Sequence, residues 1–237
     1  MPRYHRKQWE FVYICQSLYE RGLLQKNKTG IGFGVGREPL VAVFAQHEVK
    51  VTATDLPIEK AAKSGWVETN QYATDFLNLN DRSICDATLF VNNVSYHPVD
   101  MNNIPSDLKN FDFCWSACAM EHLGTIENGI RFVRKSLDCL KPGGYAIHTT
   151  EFNLSSNKKT IDNSGCVLFR KKDIERLVEQ LVQDGFIVEP LDLNNGCELV
   201  EKYVDIPPYG DEPHLRLLIN KFICTSVGLI IQKPIFK

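Results

Sequence analysis

Alternating glycines near the start of the chain constrain its fold more than any other feature. Residues 30–36 read GIGFGVG, and Pro39 follows them. Glycine adopts positive φ and lets a ligand approach the backbone, whereas proline is tolerated in the first turn of a helix. The pattern therefore predicts a buried strand, a tight turn and a helix N-terminus, which together form a nucleotide-binding corner.

An acidic residue follows the next predicted strand. That strand covers residues 48–54 and ends at Asp55. The acid lies about 20 residues beyond the glycines, the spacing of a carboxylate that binds ribose hydroxyls in nucleotide-binding folds. The glycines alone are a weak indication of a nucleotide site, and Asp55 strengthens it.

Strands and helices alternate along the rest of the chain. Helices are predicted at residues 58–64, 70–79, 126–139 and 172–184, and strands at 88–94, 111–116, 145–149 and 186–191, with a sharp turn at 141–144 and a C-terminal hairpin at 215–220 and 222–232. Such alternation indicates parallel βαβ units, whose ligands lie outside the carboxyl ends of the strands. Residues at the predicted strand ends should therefore converge on one crevice: 32–36, Asp55, Asp100, 116–122 and 148–151.

The composition is that of an ordinary globular domain. The chain has 237 residues, of which 43% are hydrophobic, and a formal net charge of −2. This charge gives no general attraction for nucleic acid or membrane surfaces, and no apolar run reaches the length of a bilayer span. The 8 cysteines are scattered without a Cys-x-x-Cys pair, which predicts reduced thiols and no metal site. We expect one cytoplasmic domain over residues 1–237.

The N-terminal segment, about residues 3–22, is predicted to form a helix that covers the sheet. Its apolar and amide residues recur at helical spacing, namely Trp9, Val12, Tyr13, Gln16 and Tyr19. The segment is interpreted as a plain cover helix. The alternative is a lid whose basic residues reach an acceptor: Arg3, His5, Arg6 and Lys7.

Taken together, the order of these motifs resembles the class I S-adenosylmethionine-dependent methyltransferases. The matching features are the glycine turn, Asp55, Asp100-Met101, Trp115-Ser116, Glu121-His122 and the KPGG run at 141–144. The resemblance implies a Rossmann-like α/β fold with a seven-stranded, mostly parallel sheet, an antiparallel C-terminal strand and helices on both faces. Residues 111–124 and 146–153 further resemble a microbial subgroup linked to cell-surface glycan synthesis.

The resemblance implies that S-adenosylmethionine is the cofactor and S-adenosylhomocysteine the product. The residues implied in cofactor binding are Gly32, Gly34 and Gly36 under the methionine part, Asp55 at the ribose, Leu56, Asp100 and Met101 at the adenine, and Ser116 facing the methionine. One position departs from the pattern: many relatives carry an acid two residues before Gly32, where this chain has Gly30. Glu38 is a candidate to hold the methionine amino group instead, although an acid at a helix start is its simpler interpretation.

The resemblance to the glycan-linked subgroup implies a sugar hydroxyl as the acceptor and glycosyltransferase domains as candidate partners. A hydroxyl is a weak nucleophile, so a general base assists the transfer. The candidate catalytic residues are His148, His122, Glu121 and Glu151, and His148 is the favoured base. Glu121 and Glu151 also stand where some relatives bind magnesium, but histidine is an unusual ligand for a hard cation and metal dependence is not expected.

Three other functions stay open at this point. A methyltransferase of the same fold could act on a small molecule or a protein. A nicotinamide-dependent oxidoreductase would share the glycine turn and Asp55, but Asp100-Met101 and the C-terminal hairpin argue against it. A non-catalytic partner subunit would bind S-adenosylmethionine without transferring its methyl group.

Overall fold

The computed structural model describes residues 3–69, 71–194 and 196–235. Its α-helices are α1 (Arg6–Glu20), α2 (Leu40–Gln46), α3 (Ile58–Lys63), α4 (Ala87–Asn93), α5 (Ile126–Ser136), α6 (Lys171–Gln183) and α7 (Leu199–Lys202). Its strands are β1 (Thr29–Phe33), β2 (Lys50–Asp55), β3 (Val94–Pro98), β4 (Phe111–Ala117), β5 (Leu140–Asn153), β6 (Ile187–Val188), β7 (Val204–Asp205), β8 (Arg216–Ile219) and β9 (Phe222–Gln232).

These strands form one sheet in the order β3-β2-β1-β4-β5-β9-β8-β7, and β6 also pairs with β9. Strands β1 to β5 pair in parallel, whereas β9 runs antiparallel to β5, β6 and β8. The predicted Rossmann-like α/β class is confirmed, including the antiparallel C-terminal strand. The short strands β7 and β8, which pair in parallel, extend the sheet beyond β9.

The two faces of the sheet bury separate hydrophobic clusters because side chains alternate along each strand. In β4, Phe113 and Trp115 belong to the cluster that includes residues of α1 and α2. Cys114, between them, belongs to the cluster that includes residues of α5 and α6. This alternation decides which residues at the strand ends can reach the crevice.

Four predicted elements differ from the structure. Residues 88–94 form mainly helix α4, because Asp86 caps its first turn by accepting from the backbone N–H groups of Thr88 and Leu89. The helix predicted at 70–79 is reduced to a 3₁₀ turn at Phe76–Asn80, and Asn70 lies outside the described residues. The KPGG run lies within β5, and the strand predicted at 186–191 is the two-residue β6.

Helix α1 is present as predicted, but it buries a different face. Trp9, Val12 and Tyr19 are exposed. The residues that α1 buries against the sheet are Glu10, Ile14, Ser17 and Leu18. A carboxylate at the centre of a buried helical face requires polar partners beneath it, and these partners belong to the candidate site.

A first prediction concerns the close contact between β1 and β4. A Cβ atom on Gly32 would overlap the indole ring of Trp115, which is fully buried. Gly32→Ala should therefore lower the free energy of unfolding by about 1–3 kcal/mol, the usual cost of overpacking a core. Urea denaturation measures this change.

Gly165→Ala is the matched control, because a Cβ atom at that position meets no heavy atom within 4 Å. Its free energy of unfolding should stay within about 0.5 kcal/mol of the wild type. Equal stability of the two variants would contradict the packing of Trp115 against β1.

Candidate functional site

The glycine turn is bonded directly to the acid at the end of β2. Gly34 and Gly36 have φ values of 62° and 50°, which glycine adopts without strain. The backbone N–H of Gly36 donates to Asp55 Oδ2 at 2.8 Å, and that of Leu56 donates to Asp55 Oδ1 at 2.7 Å. Burial raises the pKa of Asp55, and these two hydrogen bonds oppose the rise. Each carboxylate oxygen keeps lone pairs that can accept from a ribose hydroxyl.

The groove beside the turn is narrow and requires glycine. A Cβ atom on Gly34 would lie 2.9 Å from Cβ of Ala119 and 3.1 Å from Sδ of Met101, and one on Gly36 would lie 2.5 Å from the carbonyl oxygen of Gln71. A turn held this close to its neighbours, with an acid bonded to its backbone, is a cradle that fits a nucleotide cofactor.

The residues predicted at the adenine end lie beside Asp55. The backbone N–H of Val99 donates to the carbonyl oxygen of Asp55 at 2.7 Å, so Asp100 and Met101 follow at the same strand edge. Asp100 forms an ion pair with Lys60 at 2.7 Å. Leu56 accepts from the Tyr72 hydroxyl through its carbonyl oxygen at 2.7 Å. The predicted adenine residues are thus brought together with the glycine turn.

Ser116 and His148 are placed differently from the sequence-based expectation. They are register partners on β4 and β5, and both are fully buried. The His148 ring contacts the Phe132 ring edge-to-face, at 5.4 Å between centroids, on the side of the sheet covered by α5. The side chains therefore point into the core and not into the crevice.

The hydrogen bonds of His148 assign its tautomer. The hydroxyl of Ser136 donates to the carbonyl oxygen of Val133, so it accepts from Nε2–H of His148 at 3.1 Å. Nδ1 then accepts from the Ser116 hydroxyl at 2.8 Å. Because both ring nitrogens are engaged inside the core, this position disagrees with the expectation that His148 is the general base and that the Ser116 side chain faces the methionine.

A second prediction follows from the buried neutral imidazole. Burial lowers the pKa of His148 from 6.5 to about 3. Below pH 6.5 the imidazole therefore binds a proton in the unfolded state but stays neutral in the folded state. The free energy of unfolding consequently falls as the pH decreases from 6.5 toward 3. Between pH 7 and pH 5 this one group should remove about 2 kcal/mol from the free energy of unfolding.

Chemical denaturation of the wild type and of His148→Asn at both pH values measures this contribution. Every other titrating group is common to the two proteins. The wild type should lose about 2 kcal/mol more than the variant over this interval. Parallel losses in the two proteins would show that His148 is not a buried neutral imidazole.

A charged cluster lies under α1 at the ends of β4 and β5. Arg6 Nη2 forms an ion pair with Glu151 Oε1, and Arg6 Nη1 lies 3.0 Å from Glu10 Oε1. Lys7 Nζ lies 3.2 Å from Glu10 Oε2. Burial raises the pKa of Glu10, but the charges of Lys7 and Arg6 outweigh it and the net shift of its pKa is downward. Glu10 is therefore ionised in the cluster.

Two further acids complete the cluster. Glu121 is fully buried, and its Oε2 accepts from the Thr150 hydroxyl at 3.0 Å. Burial raises the pKa of both Glu121 and Glu151, with the nearby Lys7 and Arg6 charges opposing the rise. Four buried polar atoms of this cluster make no hydrogen bond among the described residues: Arg6 Nε, Glu10 Oε2, Glu121 Oε1 and Glu151 Oε2. Glu10 Oε2 still has the Lys7 ammonium 3.2 Å away, so three of the four lack any such contact. Buried polar groups of this kind need a polar partner, such as ordered water, an ion or a ligand.

His122 lies next to this cluster, and one of its ring nitrogens makes no hydrogen bond to any residue that the structure describes. Its Nδ1 donates to the carbonyl oxygen of Gly165 at 2.7 Å, which leaves Nε2 of the neutral ring with its lone pair. Burial lowers the pKa of His122, so the ring is neutral at pH 7. Trp66 contacts the ring edge-to-face at 4.6 Å between centroids.

The start of α1 is bonded to the segment before β8. The His5 ring stacks on His214 at 4.5 Å between centroids, and His214 Nδ1 lies 2.6 Å from Asp205 Oδ2. Arg3 Nε donates to Glu212 at 2.7 Å. Of the four basic residues that the lid alternative would bring to an acceptor, Arg6 and Lys7 lie at the strand ends, whereas Arg3 and His5 contact the segment before β8. The sequence-based site does not include Glu10, although its place on the inner face of an amphipathic helix is a usable signal.

The glycine turn, the ribose-side acid and the strand order define a class I, nucleotide-cofactor-binding α/β domain. A family model described as a methyltransferase domain matches residues 30–148, and the chain belongs to this family. Its methyl donor is S-adenosylmethionine, and the chain is a methyltransferase of the class I fold. Within the described residues, no helix is both long and apolar enough to cross a bilayer.

Solved structures share the fold at low sequence identity. A provisionally assigned sarcosine dimethylglycine methyltransferase from Galdieria sulphuraria has 14% identity and a TM-score of 0.59, over 98% of this chain and 85% of that one. The 1,6-didemethyltoxoflavin-N1-methyltransferase of Burkholderia thailandensis has 13% identity and a TM-score of 0.57, over 94% and 78%. Magnesium protoporphyrin IX methyltransferase of Synechocystis PCC 6803 has 11% identity and a TM-score of 0.55, over 95% and 83%. No curated protein sequence matches the chain.

A third prediction concerns the cofactor groove. Asp55→Asn should weaken the binding of S-adenosylhomocysteine at least tenfold, about 1.4 kcal/mol, through loss of charge-assisted hydrogen bonds to the ribose. Titration calorimetry measures the dissociation constant. Asp107→Asn, at an exposed position, should leave it unchanged. Equal affinity in both variants would remove Asp55 from the cofactor site.

Proposed function

We propose that this chain methylates a sugar hydroxyl, with His122 as general base and the charged cluster under α1 as the acceptor site. The observation that carries the proposal is a set of three buried polar atoms near His122 that make no hydrogen bond among the described residues: Arg6 Nε, Glu121 Oε1 and Glu151 Oε2. Two of them are carboxyl oxygens and one is a guanidinium N–H. A sugar presents hydroxyls that both donate and accept, and it therefore matches such a mixed set better than an anion or an apolar ring does.

The charges of the cluster support a neutral acceptor. Arg6 and Lys7 lie against Glu10 and Glu151, so the two cations are balanced by two carboxylates. Glu121 has no ion pair among the described residues, and burial raises its pKa, which favours its neutral form. A balanced cluster neither attracts nor repels an uncharged ligand, and hydrogen bonds then decide recognition.

The reaction requires one proton acceptor and a fixed geometry. S-adenosylmethionine supplies an electrophilic methyl group, which passes to the acceptor oxygen as the carbon–sulfur bond breaks. Nε2 of His122 takes the hydroxyl proton, while the Gly165 carbonyl fixes the ring orientation through Nδ1. The carboxylates of Glu121 and Glu151 orient the other hydroxyls. Helix α1 excludes water from the site.

Two broader assignments belong to the same proposal. Residues 1–237 act as one methyltransferase domain, with α1 as its lid. Glycosyltransferase domains are the proposed partners, because the resemblance of residues 111–124 and 146–153 connects the chain to glycan synthesis.

A fourth prediction tests the base. His122→Gln should lower turnover by about 10²–10⁴-fold while the affinity for S-adenosylhomocysteine stays nearly constant. His97→Gln, which alters an exposed histidine on β3, should keep wild-type turnover. The assay follows methyl transfer from labelled S-adenosylmethionine to a panel of mono- and oligosaccharides, with primary amines and a protein mixture as rival acceptors.

The pH dependence separates His122 from the acids. With a pKa lowered below 6.5, His122 should give a rate that rises with pH only below 6.5 and is flat above pH 7. The residual rate of His122→Gln should no longer rise with pH below 6.5. Glu121→Gln should weaken acceptor binding, but its rate should keep the same dependence on pH as the wild type.

Wild-type turnover in His122→Gln would refute His122 as the general base. Methylation of amines alone would refute the sugar acceptor, and cofactor binding without any transfer would indicate a non-catalytic subunit.

A further inference from the structure

The methionine part of the cofactor carries an ammonium group that needs an anionic partner. Position 30, two residues before Gly32 of the turn, is itself glycine and offers no such partner. A Cβ atom on Gly30 would overlap the Phe113 ring, which is fully buried. The space that an acidic side chain would occupy at position 30 is therefore filled by an aromatic ring from β4.

The carboxylate of Glu38 lies at the C-terminal end of the glycine turn. Glu38 lies two residues beyond Gly36, and its backbone N–H donates to the carbonyl oxygen of Val35 at 3.1 Å. Its Oε1 accepts from the indole Nε1–H of Trp115 at 2.6 Å. The Trp115 ring in turn packs against Gly32, where a Cβ atom would overlap it. The carboxylate is thus fixed next to the glycine turn, between β1 and β4.

The environment of Glu38 provides no paired cation among the described residues and keeps the acid largely protonated until one arrives. The residue is only 8% exposed. Its hydrogen-bond donor is a neutral indole, and none of the ion pairs in the described ranges includes Glu38. Burial raises the pKa of Glu38 to about 8, with the Trp115 hydrogen bond and Lys7 opposing and Asp55 and Glu10 adding to the rise. A buried acid held in a fixed orientation without a counter-charge is costly unless a ligand supplies one.

We propose that Glu38 binds the ammonium group of the cofactor's methionine part. Trp115 is the positioning residue, because its indole N–H fixes one carboxylate oxygen and leaves the other for the ligand. The inference rests on S-adenosylmethionine being the methyl donor. It is independent of the acceptor and of the base.

Two ligands that differ only in the group concerned test the proposal. S-adenosylhomocysteine carries the amino acid part, whereas 5′-methylthioadenosine keeps the adenosine and the thioether without it. Glu38→Gln should weaken S-adenosylhomocysteine at least tenfold and change the affinity for 5′-methylthioadenosine less than twofold. Glu38→Asp should give an intermediate loss for the first ligand only. Glu59→Gln, at an exposed position on α3, should leave both dissociation constants unchanged.

The number of protons released when the ligand binds distinguishes a binding role of Glu38 from a purely structural one. An ammonium ion beside Glu38 favours the carboxylate, so binding of S-adenosylhomocysteine to the wild type near pH 7 should release up to about one proton. Calorimetry in buffers of different ionisation enthalpy measures this number, and Glu38→Gln should release none from this site.

Three results would overturn the inference. Equal weakening of both ligands by Glu38→Gln would mean that the residue only supports the fold. Unchanged affinity for S-adenosylhomocysteine would place the ammonium elsewhere, and so would equal proton release in wild type and variant. Thermal melting of each variant without ligand shows whether it folds. If Glu38→Gln does not fold, the affinities of Glu38→Asp for the two ligands provide the test.

Discussion

The close approach of β4 to the glycines of β1 is the constraint on which the site depends. Phe113 and Trp115 occupy the space that side chains at positions 30 and 32 would need. The same approach brings the indole N–H of Trp115 to Glu38 and leaves the turn narrow enough for backbone contact with a ligand. The rings of Phe113 and Trp115 therefore determine both the packing of the core and the shape of the cofactor groove.

The second organising feature is the charged cluster buried under α1 at the ends of β4 and β5. Helix α1 turns Glu10 inward and exposes Trp9 and Val12, the reverse of what hydrophobicity alone favours. The cost of burying Glu10 is offset by Arg6 and Lys7, which also lie at the ends of β4 and β5. Helix α1 and the acids beneath it therefore form one electrostatic unit, and removing Arg6, Lys7 or Glu10 leaves an unbalanced buried charge.

Local patterns predicted a large part of the fold. The glycine turn, Asp55 and the alternation of strands and helices led to the correct class, and α5 and α6 lie close to their predicted places. The errors occurred where a short-range hydrogen bond decided the outcome, as at the Asp86 cap of α4, or where tertiary pairing absorbed a turn motif, as for the KPGG run inside β5. Such competition is not visible in periodicity.

The sequence by itself determined the class of cofactor-binding corner, because glycine spacing and one acid fix the backbone geometry locally. Only the tertiary structure decided which chemistry-bearing residues face the crevice. His148 and Glu151 lie three residues apart on β5, yet the first points into the core and the second toward α1. Successive side chains of a strand point to opposite faces of the sheet. The motif at a strand end does not show which of the two faces a particular helix will cover. That choice buried His148 beside Phe132 in the core and left His122 bonded to Gly165 next to the charged cluster.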